Sequence, residues 1–462
     1  MELLEYHGAG SPSDVGETEY IIGWNDEGMT GLRKINSWMA VGVCALLALG
    51  CGSVAKTLVM NNPRVEKILA EPKPDRTVSH TGRVEYIGDA DNRITVLYVS
   101  GTPYEMGYEH GRLLAKEIRG TMRDVEAGAD KFLPKKLRDS KLITRRDEDG
   151  IIDELLDRAW HMMARYAPKE DLEEMAGLAA GSGISLSRIH RMHAIPDVGE
   201  TSCSGLVAKG DATRDGHVYQ LRILDYGANF NLQRRPLITV YRPTTENANA
   251  YVTIGWVGFV GAISGVNEKG VALSEMGFGN PPGETLAGTP MPFLLKNVLR
   301  YADADEDGAA IIRAARRTNS YIYFLGDKRH DPIGMITSAQ RCLTYHANET
   351  DTLVVNGTPL PQFHDVVYGG HYEEKQAQLV RDLQGKIDVS TIQELARQIA
   401  MKSNLQTVIY DLTADRIWVA NRKDKVRAAD RSYVEFSLAD GWSKSLQYAT
   451  SANAPQLSAN TQ

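Results

Sequence analysis

Apolar residues recur along the chain at the two spacings that distinguish strands from helices. Two short strands are predicted at 83–87 and 94–99, where β-branched and aromatic residues lie on either side of a turn-forming segment. A helix is predicted next, because Leu114, Ile118 and Val125 are separated by four and seven residues.

The clearest helical repeat runs over 151–166, where apolar side chains recur every three or four residues, and Pro168 ends it. The following segment, 172–183, is rich in alanine and glycine. Since glycine leaves room beside the backbone, we expect another element to approach this segment closely.

The character of the pattern changes at Cys203. Apolar runs at 205–208 and 218–222 flank a polar link with the turn pair Asp215-Gly216, which predicts a β-hairpin. Further strands are predicted at 237–241, 251–254, 270–274, 322–325, 353–355, 407–410 and 417–420, and helices at 293–301, 308–316, 374–383 and 392–401. Strand clusters with helices grouped between them favour an α+β layered sandwich over strict βαβ alternation.

The composition is that of a folded protein. Of 462 residues, 42% are apolar and 24% are charged, so neither a disordered chain nor a polytopic membrane protein is indicated. The formal net charge is -7, and the lysines and arginines are scattered rather than clustered. Nucleic-acid binding is therefore not expected.

The cysteine spacing excludes the usual structural metal sites. Cys44 and Cys51 lie in an apolar run near the N-terminus, which leaves Cys203 and Cys342 for the folded body. No CxxC pair or Cys/His cluster has zinc-binding spacing, so no metal is expected. No glycine-rich phosphate loop follows a strand and opens a helix, so no nucleotide or other cofactor is expected either.

The N-terminal region has the pattern of an export signal. A basic pair at 33–34 precedes an uncharged apolar stretch at 38–49, and small residues follow. The end of this stretch resembles a bacterial lipobox, in which Cys51 would be lipidated and become the first mature residue. Two alternatives stay open: a membrane-anchor helix, because the uncharged run continues to residue 55, and a cleaved soluble signal.

If the segment is an export signal, it determines where the protein is located and which methionine begins the translated chain. We expect the protein to be anchored at a membrane through a lipid or a helix, or to be periplasmic or extracellular. Residues 1–28 are polar and acidic, which is unusual before a signal segment. The translated chain therefore starts either at Met1 or, as we favour, at Met29.

A family resemblance rests on several segments in a fixed order. The run from Cys203 to Gly216, closing on 222–226, resembles the nucleophile strand of the N-terminal-nucleophile (Ntn) hydrolases. More narrowly, it is similar to the acyl-coenzyme A:6-aminopenicillanic acid acyltransferase family, also called isopenicillin N acyltransferases. Segments 104–112, 174–183, 265–271 and 405–411 match that family in the same order, so the resemblance covers about residues 82 to 436.

The resemblance implies a four-layer αββα Ntn-hydrolase sandwich and a division of the chain. Residues 1–63 form the export signal or anchor and 64–81 a linker. Residues 82–202 form the region before the nucleophile, 203–440 the region that carries it, and 441–462 a polar tail. Scission between Ser202 and Cys203 would separate the two central regions, which are expected to stay associated.

The chemistry of Cys203 can be argued from its position. A cysteine at a chain start carries its own base, because the free α-amine has a pKa of about 7.7–8.0 and can take the thiol proton. Before scission, the same sulfur would attack the Ser202 carbonyl. The expected activity is hydrolysis of a small-molecule amide, or transfer of its acyl group, through a thioester on Cys203.

By resemblance, four further residues are assigned to the site. Arg222 and Asp225 match the family's Arg-x-x-Asp pair, which holds the thiolate and the amine, and a guanidinium also favours a thiolate. Asn267 and Asn356 match two asparagines whose amides can donate to an oxyanion. At the second of these positions the family has Thr-Asn-His, whereas this chain has Val355-Asn356-Gly357.

Two other functions remain open from the sequence. One is an unprocessed cysteine hydrolase that uses a histidine base, with His217, His346, His364 and His371 as candidates. The other is a surface lipoprotein of the same fold that binds a ligand without turnover. The first predicts an intact chain, and the second has no need for Cys203, Arg222 and Asp225 together.

Overall fold

A computed structural model describes the folded body of the chain. The described residues are 81–129, 145–199, 203–277, 284–348, 352–355, 358–370 and 373–451. The export segment with Cys51, and the three site candidates Ser202, Asn356 and His371, lie outside these residues.

Strands and helices fill most of the described ranges. The strands are β1 (Arg83–Ile87), β2 (Ile94–Gly101), β3 (Cys203–Gly210), β4 (Gly216–Leu224), β5 (Pro236–Pro243), β6 (Tyr251–Trp256), β7 (Ser264–Asn267), β8 (Ala272–Gly277), β9 (Tyr321–Gly326), β10 (Ile333–Thr337), β11 (Cys342–His346), β12 (Thr352–Val355), β13 (Thr358–Pro361), β14 (Val366–Gly370), β15 (Gln406–Asp411), β16 (Arg416–Asn421) and β17 (Val434–Ser437). The helices are α1 (Pro103–Leu113), α2 (Ala115–Ala129), α3 (Arg145–Ala164), α4 (Lys169–Ser182), α5 (Leu186–Val198), α6 (Met291–Tyr301), α7 (Asp305–Ala314), α8 (Glu373–Leu383), α9 (Val389–Ile399) and α10 (Leu438–Ser451).

The strands form two large sheets. One has nine strands in the order β1-β2-β5-β6-β7-β8-β9-β10-β11, and the other has six in the order β14-β3-β4-β15-β16-β17. Strands β12 and β13 pair separately. Strand β2 runs parallel to β5, so the region before Cys203 is hydrogen-bonded along a strand edge to the region after it.

Four layers result from the way helices cover these sheets. The sheets face each other where β3 and β4 pack against β8 and β9. Helices α6 and α7 pack on the nine-stranded sheet, and α8 and α9 pack on the six-stranded sheet. The α+β layered prediction is confirmed by this helix–sheet–sheet–helix order.

Some elements differ from the sequence predictions. The single helix expected around Leu114 is two helices, because Leu114 has a non-helical backbone (φ -118°, ψ 23°). Helix α10 extends to residue 451, although a polar tail was expected from 441. Tertiary contacts stabilise this helix, because α10 packs on β2 and β5 and Tyr448 donates a 2.6 Å hydrogen bond to Glu85.

The glycine-rich segment packs as expected. Helices α1 and α4 lie so close that a Cβ on Gly107 would be 2.0 Å from the Glu174 carbonyl oxygen, and one on Gly177 would be 2.0 Å from the Tyr104 carbonyl oxygen. A real Cβ cannot occupy either position. The prediction that another element approaches 172–183 is therefore confirmed, and α1 is that element.

Adding a single methyl group between these two helices should force them apart and destabilise the protein. We expect Gly177→Ala to lower the free energy of unfolding by about 3 kcal/mol, since backbone atoms cannot move aside as a flexible side chain would. The matched control is Gly150→Ala in α3, where nothing lies within 4 Å of the new Cβ. That variant should be about 0.5–1 kcal/mol more stable. Urea unfolding measures both, and equal stabilities would contradict the close packing.

Candidate active site

The hairpin of β3 and β4 positions the proposed nucleophile and a guanidinium. Cys203 is the first residue of β3, is 2% exposed and lies opposite Leu224. Residues two apart on one strand share a face, and diagonal neighbours on adjacent strands are within reach of long side chains. Accordingly, Arg222 Nη2 lies 3.9 Å from Cys203 Sγ.

Arg222 joins the two sheets through a carboxylate. Its side chain is fully buried, and its Nε donates to the backbone oxygen of Glu275 at 3.1 Å. Its Nη2 donates to Glu275 Oε2, also at 3.1 Å. Glu275 was not predicted from the sequence, although an acidic residue beside the apolar residues of a strand was a signal for a role in a site.

The surroundings of Cys203 keep its thiol protonated. Burial raises the pKa of the Cys203 thiol to about 12; Arg222 opposes this shift, whereas the negative charges of Glu275 and Asp225 add to it. At neutral pH the thiol is therefore neutral unless a base takes its proton. Arg222 alone does not generate a thiolate here.

Asp225 is the second member of the predicted Arg-x-x-Asp pair, and its negative charge acts on the same thiol. Its Oδ1 accepts a 3.2 Å hydrogen bond from the Met401 amide, and its Oδ2 has no hydrogen-bond partner among the described residues. Burial raises the pKa of Asp225 to about 7. The carboxyl group can thus gain or lose a proton near neutral pH.

A pocket with an empty volume of about 700 Å³, partly open to solvent, leads to Cys203. Most of its wall is apolar and includes Val125, Met192, Ile195, Phe230, Trp256 and Phe259. The wall residues come from both sides of the proposed scission site.

Two buried polar atoms at this pocket lack a partner within the described part of the chain. Arg222 Nη1 and the Tyr226 hydroxyl have no hydrogen-bond partner among the described residues, and both side chains line the pocket with Cys203. Burial raises the pKa of Tyr226 well above its usual range, so its hydroxyl remains a donor. Because buried donors are normally paired, these two indicate a place for a polar atom of a ligand. Tyr226 directly follows Asp225, but no role was predicted for it from the sequence.

Asn267 is placed away from this pocket. Its Nδ2 donates to the carbonyl oxygens of Leu299 and Ala302, and its Oδ1 accepts from the amides of Lys269 and Val271. The side chain therefore holds the turn after β7 against the end of α6. The structure does not bring Asn267 to Cys203, and its oxyanion role stays a prediction.

Three of the four histidines proposed as alternative bases also lie elsewhere, and the fourth, His371, is outside the described residues. His217 Nδ1 is 2.9 Å from Asp411 Oδ2, His346 pairs with Glu306, and His364 is largely exposed. Among the described histidines, none lines the pocket that contains Cys203. The unprocessed Cys/His mechanism thus has no base in place within this part of the chain.

Metal-binding capacity is limited to two groups outside the pocket in the described ranges. Asp211, His364 and Asp365 form one group, and Asp305, Asp327 and His330 form the other, each with donor atoms within 4.8 Å of one another.

None of the described helices is long and apolar enough to cross a membrane.

Comparisons with known proteins give distant similarities. No family model matches the chain. Protein dcd1A of Dictyostelium discoideum is 27% identical over 365 residues, covering 73% of this chain and 81% of that protein. Protein dcd1B of the same organism is 24% identical over 352 residues, covering 73% and 70%.

Three solved structures are also similar in part. They are a Caenorhabditis elegans N-acylethanolamine-hydrolyzing acid amidase ortholog (11% identity, TM-score 0.34, 51% of this chain and 100% of that one), a mutant conjugated bile acid hydrolase from Clostridium perfringens (12%, 0.32, 50% and 95%) and penicillin V acylase from Agrobacterium tumefaciens (10%, 0.32, 47% and 83%). TM-scores this low do not assign a fold or a function to this chain. The narrower acyltransferase resemblance stays a prediction.

The negative charge of Glu275 should have a measurable effect on the reactivity of the Cys203 thiol. We expect Glu275→Gln to lower the pKa of Cys203, because a negative charge that disfavours the thiolate is removed. At a given pH between 7 and 9, iodoacetamide should then alkylate Cys203 about tenfold faster. Peptide mass spectrometry follows the rate, with Cys342 as the internal control. Equal Cys203 rates in both proteins would contradict this electrostatic arrangement.

Proposed function

We propose that the chain is a self-cleaving cysteine amidohydrolase of the Ntn type that acts on N-acyl amides with an apolar acyl group. The observation that carries this proposal is the buried thiol of Cys203 at an apolar pocket, 3.9 Å from Arg222. Hydrolysis and acyl transfer share the same thioester, and they differ in whether water or an amine resolves it.

The need for a base supports the N-terminal mechanism. The pKa of the buried thiol is about 12, and none of the described histidines reaches the pocket. Scission before Cys203 would supply an α-amine on the same residue, with a pKa of about 7.7–8.0 in the unperturbed state. That amine would take the thiol proton and produce the nucleophile.

The scission step requires a different base, since the α-amine is still part of a peptide bond. Asp225 fits this role, because its pKa of about 7 leaves a fraction ionised at neutral pH. The sulfur of Cys203 would attack the Ser202 carbonyl carbon while Asp225 accepts the thiol proton. The C–N bond then breaks, the freed amine is protonated, and water hydrolyses the thioester to leave a carboxylate on Ser202.

Substrate turnover would repeat the same chemistry on an external amide. The thiolate of Cys203 attacks the acyl carbonyl, and the negative charge that develops on its oxygen needs donors. Arg222 Nη1 and the Tyr226 hydroxyl are buried donors without partners among the described residues. The amine leaves with a proton returned by the α-amine of Cys203, and water then releases the acid.

The apolar wall supports the choice of acyl group. Residues such as Met192, Trp256 and Phe259 would cover methylene groups, each worth about 0.8 kcal/mol when it is removed from water. A charged or highly polar acyl group would lose its hydration without compensation. We therefore infer an aliphatic or aromatic acyl chain.

Contacts between the regions before and after Cys203 support the proposal that they stay associated after scission. Strand β2 pairs with β5 across the proposed scission site, and Arg300 of α6 binds Asp171 of α4 at 2.6 Å in a fully buried ion pair. We propose that both fragments remain in the active enzyme. Export and membrane attachment through Cys51 remain proposals that rest on the sequence of residues 1–63.

Self-cleavage predicts a simple mass pattern. Purified wild-type protein should separate under denaturing conditions into two fragments divided between Ser202 and Cys203, because the sulfur of Cys203 is required for scission. Cys203→Ala should remain intact and inactive on N-acyl amides, whereas Cys342→Ala should be cleaved and active. Intact-mass spectrometry measures the pattern. A folded wild type that stays uncut would exclude the N-terminal-nucleophile mechanism.

The hydroxyl of Tyr226 should matter for the chemical step. We expect Tyr226→Phe to lower kcat by about tenfold or more, with a smaller change in KM, since the donor acts mainly on the developing oxyanion. Tyr433→Phe is the control, because its buried hydroxyl lies outside the pocket. Steady-state kinetics on one N-acyl amide compare the variants, and equal kcat values for Tyr226→Phe and wild type would remove Tyr226 from the mechanism.

A further inference from the structure

The loop that joins β6 to β7, residues 257–263, forms part of the pocket wall and is unusual for a loop because it is fully buried. All seven residues are buried, and their side chains are entirely apolar or absent. Phe259 and Ile263 line the pocket. Loops are normally at the surface because their backbone groups need hydrogen bonds, so a buried apolar loop must find its partners in other elements.

Side chains from three helices supply several of these partners. The amide of Gly258 donates to His110 Nε2 of α1 at 3.1 Å, and the amide of Val260 donates to His193 Nε2 of α5 at 2.9 Å. The carbonyl oxygen of Val260 accepts from Lys296 Nζ of α6 at 2.6 Å. The loop is thus held at its centre by groups that lie behind the pocket wall.

His193 is suited to this role by its protonation and its packing. Its Nδ1 lies 2.8 Å from the Ile189 carbonyl oxygen, and a carbonyl can only accept, so the ring proton is on Nδ1. Nε2 is then free to accept from Val260. The ring also stacks on Phe259, with centroids 5.0 Å apart and planes 6° apart.

Burial keeps both histidines neutral. It lowers the pKa of His193 to about 4 and that of His110 to about 3, so each ring keeps an unprotonated nitrogen at neutral pH. The backbone of Gly258 has a φ of +90°, a conformation that favours glycine, and its amide points to His110. The two histidines therefore hold one fixed arrangement of the loop.

We propose that His193, together with His110, is a positioning residue that fixes Phe259 in the pocket wall and thereby sets which acyl chains the enzyme accepts. Both histidines lie before the proposed scission site, whereas the loop lies after it. The first fragment would thus determine the selectivity of a pocket whose nucleophile belongs to the second. This inference rests on the proposed function, because selectivity requires an acyl substrate.

Whether His193 holds the loop 257–263 in place can be tested without a substrate. Hydrogen exchange followed by mass spectrometry reports the protection of the amides in 257–263. His193→Leu removes the acceptor from the Val260 amide, and exchange in this loop should become at least about tenfold faster. His193→Gln keeps a side-chain acceptor and should recover part of the protection.

A matched control separates this effect from general damage to α5. His190 is buried on the same helix and stacks on Trp160, and it makes no described contact with the loop. His190→Leu should leave exchange in 257–263 unchanged. If His193→Leu does not fold, His110→Leu gives the same comparison at Gly258. Unchanged loop protection in the folded His193 or His110 variant would overturn the proposal.

Selectivity is measured on N-acyl anilides from butanoyl to hexadecanoyl. With His193→Leu, we expect KM for the preferred chain length to rise about tenfold, while kcat changes less and the preferred length shifts. A uniform loss at every chain length, or no change, would overturn the selectivity role. Wild-type protein that is active on none of these amides would instead refute the proposed function, and the exchange result would still decide whether His193 holds the wall.

Discussion

The candidate site depends on the buried ion pair between Arg222 and Glu275. Arg222 belongs to β4 of the six-stranded sheet, and it donates twice to Glu275 in β8 of the nine-stranded sheet. A buried charge that loses its partner costs about 3–5 kcal/mol, so this pair strongly favours one alignment of the two sheets. That alignment places Cys203 3.9 Å from the guanidinium and at the pocket. Burial and the negative charge of Glu275 raise the pKa of the thiol against the opposing effect of Arg222, so the thiol stays protonated and the site depends on an added base.

The region before Cys203 is part of the folded body rather than an appendage. It contributes two strands to the nine-stranded sheet through the pairing of β2 with β5, and it lines the pocket with residues such as Met192 and Ile195. Buried ionic contacts join it to the rest, with Asp171 and Glu174 of α4 bound to Arg300 and Lys296 of α6. Separating these surfaces would expose apolar area and unpaired charges, so a break in the chain before Cys203 need not separate the two regions.

The parts of the site that are close in sequence were easier to predict than those that meet only in the fold. Cys203, Arg222 and Asp225 lie on one hairpin, whose alternation brings the first two together. Glu275 comes from the opposite sheet, and no spacing along the chain connects it to Arg222. The motif around Asn267 suits a turn as well as a site, and its side-chain amide donates to the carbonyl oxygens of Leu299 in α6 and of Ala302 just after it. Asn356 lies outside the described residues.

The sequence by itself determined the local elements with strong periodicity, the α+β class, the close approach at the glycine-rich helix and the hairpin of Cys203. These depend on spacing within a short segment, where side-chain direction follows directly from the backbone repeat. Only the tertiary structure decided the short strands β7, β10 and β11, the helix α10 that binds Glu85 through Tyr448, and the loop held by His110 and His193. Each of these is stabilised by partners that are distant in sequence, so its own residues carry too little information to specify it.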